Sequence, residues 1–90
     1  MRSYWGIKGG ESIEIFSGDD AKAGAVIYRI GVERVVGGEV KIVRAAGAPK
    51  IINNDSRSKT IDLPVTQSLF IEFVGDTGFA FGWTDCIGKA

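Results

Sequence analysis

Residues 26–32 read Val26-Ile27-Tyr28-Arg29-Ile30-Gly31-Val32, and in them Val26, Tyr28, Ile30 and Val32 step by two. Successive side chains of an extended strand point to opposite sides, so this spacing turns one apolar face toward a core. Ile13 and Ile15 repeat the step. No window sustains an apolar face at helical spacing over three turns. The pattern therefore predicts an all-β domain.

Working outward, thirteen glycines and two prolines punctuate short runs rich in Val, Ile, Phe and Tyr. Eight short strands are expected, at about 3–8, 11–17, 24–36, 39–46, 49–53, 58–63, 68–75 and 79–85. That many short strands in 90 residues imply a sandwich, jelly roll or small barrel, and a small, mainly antiparallel β-sandwich or jelly-roll-like domain is the expected form. Residues 19–23 can form one helical turn. No linker, repeat or low-complexity tract divides the chain, so residues 1–90 are expected to form a single domain.

Three hairpins follow from the turn residues. Gly9-Gly10 and Gly37-Gly38 suit two-residue turns, which need the positive φ that glycine adopts freely. A turn at Gly37-Gly38 sets Val36 opposite Glu39, Val32 opposite Val43 and Ile30 opposite Ala45. The reverse face then holds Val35, Val40 and Ile42. Arg34 and Lys41 fall on one face of this pair and Arg29 and Arg44 on the other, so the cations make no single patch. The third turn, Asp76-Thr77-Gly78, pairs Phe73 with Phe81 and Ile71 with Trp83, turning the large odd-numbered residues inward. Phe70, Val74, Ala80 and Gly82 are left on the opposite face. Pro64, which has no amide hydrogen to donate, is expected to end its strand.

Composition excludes several functions. Lys and Arg balance Asp and Glu at eleven each, which argues against nucleic-acid binding, where an excess of cations neutralises phosphate. The chain has no histidine, the commonest general base and metal ligand. No Ser, Thr or Cys has a base at a telling spacing, and no carboxylate pair is singled out, so no catalytic residue is assigned and the protein is expected not to be an enzyme. No cofactor is expected either. Gly37-Gly38-Glu39 lacks the Lys and Ser/Thr of a phosphate-binding loop. Asp19-Asp20 and Asn53-Asn54-Asp55 offer oxygen ligands but not calcium-loop spacing, and read as solvated turns rather than a metal site. The single cysteine, Cys86, cannot close an intrachain disulfide and is read as a partly buried filler. No stretch has signal-peptide character, and no apolar run reaches the roughly 20 residues that span a bilayer. The chain is expected to be made in the cytoplasm without contact with membrane.

The candidate sites are therefore surfaces. Val35, Val40, Ile42, Phe70 and Val74 are apolar residues on faces that a two-layer sandwich should expose, and so are candidate partner contacts. Trp5 and the polar loop with Asn53, Asn54, Asp55 and Arg57 are the candidate ligand-binding residues, with carbohydrate as the ligand.

Residues 51–83 resemble the C-terminal half of small phage virion proteins, such as head-decoration or other accessory capsid subunits. The matching pieces are Ile52-Asn53-Asn54, a Ser/Lys/Thr run, Ile61-Asp62-Leu63-Pro64 and Ser68-Leu69-Phe70-Ile71-Glu72-Phe73. Gly75-Asp76-Thr77-Gly78, leading into the last strand, completes them. The resemblance implies a sandwich that sits on a shell in many symmetric copies, and it carries over no functional residue. The closing pattern is also similar to that of carbohydrate-binding sandwiches. The leading expectation is a structural or assembly protein that contacts itself or a larger protein, incorporated into a virion. A carbohydrate-binding module and a small inhibitor of a host or rival enzyme are the alternatives.

Overall fold

The computed structural model describes residues 2–15, 26–45, 47–65 and 68–89. They form eight strands: β1 (Arg2–Lys8), β2 (Ser12–Ile15), β3 (Val26–Val36), β4 (Glu39–Arg44), β5 (Lys50–Ile52), β6 (Thr60–Val65), β7 (Leu69–Val74) and β8 (Phe79–Lys89). No helix occurs among the described residues, and the turn expected at 19–23 lies outside them. The strands make two antiparallel sheets, ordered β1-β8-β3-β6 and β2-β7-β4-β5. The pairs β1·β8, β2·β7, β3·β6 and β4·β5 nest inside one another, as if one long hairpin had been rolled up. That order is a jelly roll.

The core lies between the sheets. Ile30 comes from one layer, and Val40, Ile42, Leu69 and Ile71 from the other, all essentially without exposure. Each such side chain contributes roughly 1.5–3 kcal/mol by leaving water.

None of the three expected hairpins forms. β1 pairs with β8 while β2 pairs with β7; β3 pairs with β8 while β4 pairs with β7. Gly9-Gly10, Gly37-Gly38 and residues 75–78 are therefore corners that carry the chain from one sheet to the other. Val32 lies opposite Gly82 rather than Val43, and Phe73 lies opposite Val40 rather than Phe81. Ile71 lies opposite Ile42 and Ile13, and Trp83 opposite Gly31 and Tyr4.

Glycine is needed at these corners for a reason beyond turn geometry. The three corners stack on one another at one end of the sandwich. The Gly9 amide donates to the Gly78 carbonyl at 3.2 Å. A Cβ on Gly9 would stand 2.6 Å from the Asp76 carbonyl oxygen, and one on Gly37, where φ is +78°, would stand 3.0 Å from that of Thr77. Backbone meets backbone there.

Losing the hairpins reverses several side-chain assignments. Val40 and Ile42 face the core because β4 pairs with β7, whose Ile71 and Phe73 point inward. A bulge between Val32 and Arg34 adds Glu33 to β3 and turns Val35 inward as well. In β8 the small residues Ala80, Gly82 and Thr84 face inward, while Phe79 and Phe81 are exposed. Packing explains this choice: Trp5 of β1 lies on the inner side against Gly82, and a large neighbour there would displace it. Outside, the Trp83 indole lies across Gly31. Each glycine thus carries a tryptophan from the adjacent strand, one on each face of the sheet.

Pro64 does not end a strand but sits within β6, opposite Ile27. Its missing donor is tolerated because β6 is the edge of its sheet. Cys86 is a free, half-buried thiol packed against the core.

Candidate functional site: an exposed aromatic sheet face

The outer face of β1-β8-β3-β6 is built by strand parity. With Ala80, Gly82 and Thr84 turned inward, Phe79, Phe81, Trp83 and Asp85 must emerge on the solvent side. Cross-strand pairing sets Tyr4 beside Trp83, Gly6 beside Phe81 and Lys8 beside Phe79. On the other flank Arg34 lies beside Phe81 and Arg29 beside Asp85. Tyr4 is 72% exposed, and Phe79 and Phe81 are exposed too. The two phenylalanine rings are parallel, with centroids 6.3 Å apart and planes within 3°. The Arg34 guanidinium lies 5.9 Å from the Phe79 centroid, within cation–π range.

Trp83 is engaged within the domain. Its ring lies over Gly31, and the Arg2 guanidinium approaches its centroid to 3.8 Å. Arg2 Nε also donates to Asp85 at 3.2 Å. Beside this group, Arg29 grips Asp62 with Nε–Oδ1 at 2.8 Å and Nη2–Oδ2 at 3.0 Å. Two of the face's cations are thereby paired. Lys8 and Arg34, flanking the phenylalanines, make no ion pair among the described residues.

The hydrogen bond from Arg29 holds the Asp62 carboxyl below its ordinary value of 3.8. A lowered folded-state pKa means that the pair contributes stability above about pH 3.8 and loses it as pH falls through the lower folded value. Both side chains are nearly half exposed, so solvent screening keeps the contribution small. The Asp62 carboxyl, followed by NMR through an acid titration, is expected to titrate at higher pH in Arg29→Gln than in the parent. Equal midpoints would show that the pair does not persist in solution.

The opposite outer face, on β2-β7-β4-β5, carries Phe70 and Val74, 40% and 44% exposed, where the expectation put them. Phe70 lies between Glu14 of β2 and Val43 of β4. Glu72 lies between Ser12 and Lys41, and Val74 opposite Glu39.

The other candidates are placed differently. Val35, Val40 and Ile42 are buried, so they cannot touch a partner. Trp5 is 8% exposed on the inner side, and its indole nitrogen is buried without a hydrogen-bond partner, so it offers no stacking surface. The polar loop 53–59 is bonded to itself. Asn53 Oδ1 accepts from the Asp55 amide at 2.8 Å, and the Asn53 amide donates to Ser56 Oγ at 3.0 Å. Lys59 Nζ donates to the carbonyls of Asn54 and Ser56 at 3.2 and 2.7 Å, taking the oxygens that a cation would need. Asn54, Asp55 and Arg57 are exposed on this loop, on elements separate from the aromatic face. Asp19-Asp20 lie outside the described residues. Among the described residues, no group of three or more Cys, Asp or Glu converges to hold a metal ion.

Sequence reasoning missed Tyr4, Phe79 and Phe81 as surface residues. The signal was there in Phe79-Ala80-Phe81-Gly82-Trp83, an alternation of large and small residues. Alternation identifies two faces without saying which is inside. Trp5 on the neighbouring strand decided it. No known protein family, curated protein or solved structure matches the chain.

Proposed function

We propose that this protein is a non-enzymatic assembly domain, working by contact with copies of itself or with a larger structural protein. The observation that carries this reading is the parallel, exposed Phe79–Phe81 pair on a regular sheet face, beside a highly exposed Tyr4. Aromatic side chains and arginine are enriched where proteins meet, because a rigid ring buries much area at little entropic cost. A core of this size leaves a domain of 90 residues only a modest stability margin, to which burial against another chain adds.

The likeness of residues 51–83 to accessory capsid subunits gives the proposal its most concrete form, a virion component present in symmetric copies. The jelly-roll order agrees with that form, since viral capsid domains use it; lectin domains use it too, so fold analogy by itself does not choose. The site favours protein contact over sugar. Trp5 is inside, and Trp83 already has Gly31 and Arg2 against it.

Sedimentation over a wide concentration range tests the reading. The parent protein is expected to run above the monomer mass of 9.6 kDa, and Phe81→Glu to run at or nearer to it with unchanged circular dichroism. A parent that stays monomeric throughout, and that Phe81→Glu leaves unaltered in every association assay, would contradict it.

A further inference from the structure

We infer that copies of this chain stack head to tail, the aromatic face of one protomer seating on the opposite, Phe70-bearing face of the next. This rests on the assembly reading and adds which surfaces meet and with what symmetry.

The two outer faces are complementary in charge. On the aromatic face Arg2, Lys8, Arg29 and Arg34 outnumber Asp62, Asp85 and Glu33, and the two cations left over from ion pairs flank the phenylalanines. On the other face Glu14, Glu39 and Glu72 outnumber Lys41. Glu14 stands beside Phe70 there, as Arg34 stands beside Phe81 on the first face. Like faces brought together oppose an excess of one sign, which is costly where water is excluded; unlike faces match it.

Both faces also expose apolar side chains on an interior strand of the sheet, Phe79 and Phe81 on β8 and Phe70 and Val74 on β7. Room is sufficient: the molecule measures 39 × 24 × 23 Å, and a standard interface covers about 800 Å² per partner. Because the surfaces that meet are different, two copies cannot satisfy each other. The contact continues as a ring or as a linear stack. Salt is expected to shorten the assemblies by screening the charges at the rim.

The test uses two doubly substituted full-length chains with circular dichroism like the parent. One, Arg34→Glu with Phe81→Glu, has its aromatic face blocked. The other, Glu14→Gln with Phe70→Gln, has the opposite face blocked. By sedimentation equilibrium each is expected to be monomeric alone. Mixed in equal amounts, they are expected to form a one-to-one dimer and nothing larger, because each supplies one intact face. A dimer of the Glu14/Phe70 variant alone overturns the proposal in favour of aromatic face on aromatic face. A dimer of the Arg34/Phe81 variant alone overturns it in favour of the other like pairing. A parent that assembles while the mixture stays monomeric overturns the head-to-tail contact and leaves the assembly reading standing. A parent that is monomeric, or that instead binds a glycan panel or a single-stranded oligonucleotide through Phe81, overturns both.

Discussion

Ile42→Asp is expected to abolish folding, whereas Phe70→Asp is expected to leave a folded domain. Both positions lie on one sheet, on strands that pair directly, and both were candidate partner contacts by sequence. Ile42 has no exposure and meets Ile71 across the ladder. A carboxylate there would be buried without a partner, and protonating it to escape the charge still leaves a polar group unsatisfied. The total stability of a domain is about 5–15 kcal/mol, and a buried unpaired charge removes several of them at once. Ile42→Ala, the milder change, is expected to cost about 2–5 kcal/mol through lost burial and the cavity left behind. Urea unfolding monitored by circular dichroism measures all three. If Ile42→Asp melted cooperatively near the parent, Ile42 would have to face solvent, and the two-sheet arrangement would be wrong.

Gly82→Ala is expected to destabilise the domain by about 3 kcal/mol, an unusually large effect for one added methyl group. The new Cβ would press on the Gly31 carbonyl of the adjacent strand and stand 2.8 Å from Cζ2 of Trp5. Strands in a sheet cannot separate without losing ladder hydrogen bonds, so relief has to come from the whole of β8. Two companions separate this cause from ordinary loss of glycine. Gly88→Ala, in the same strand, has nothing within 4 Å of its added Cβ and is expected to fall within roughly 0.5 kcal/mol of the parent. Trp5→Phe is not expected to rescue Gly82→Ala, because the carbonyl conflict remains when the indole is trimmed. Gly31→Ala differs in kind: its Cβ meets side-chain atoms of Trp83 alone among its three nearest contacts, and that indole lies on the outer face, where it can swing away. Its cost should be smaller and should disappear in the Trp83→Ala background. Equal costs for Gly82→Ala and Gly88→Ala would show that the close approach is absent in solution.

Both predictions turn on features that the sequence carries without ordering them. The strand segments were legible because period-two alternation is a property of each extended segment alone. Val26–Val36, Glu39–Arg44, Leu69–Val74 and the start of the last strand at Phe79 all lie where alternation and glycine punctuation put them. The glycines at 9, 10, 37, 38 and 78 were legible as turns for the same local reason. Phe70 and Val74 were legible as exposed apolar residues too.

What stayed hidden is which strand each segment pairs with. A glycine turn looks the same whether the chain doubles back on itself or crosses to a second sheet, because φ is local and pairing is not. Taking the turns as hairpins placed Val40 and Ile42 outside and Phe81 and Trp83 inside, and each of these is reversed. The bulge at Glu33 shifted Val35 by one position, and with a period of two a single extra residue exchanges the faces. Trp5 against Gly82 and Trp83 over Gly31 are contacts between residues far apart in the chain, chosen by volume rather than by pattern.

The amino-acid order therefore determined on its own where the chain is extended, where it turns, and that large and small side chains take opposite sides. Whether a given side is core or solvent was decided by the tertiary structure. That choice depends on the summed volume that four neighbouring strands present to the same space, and no single segment contains that quantity.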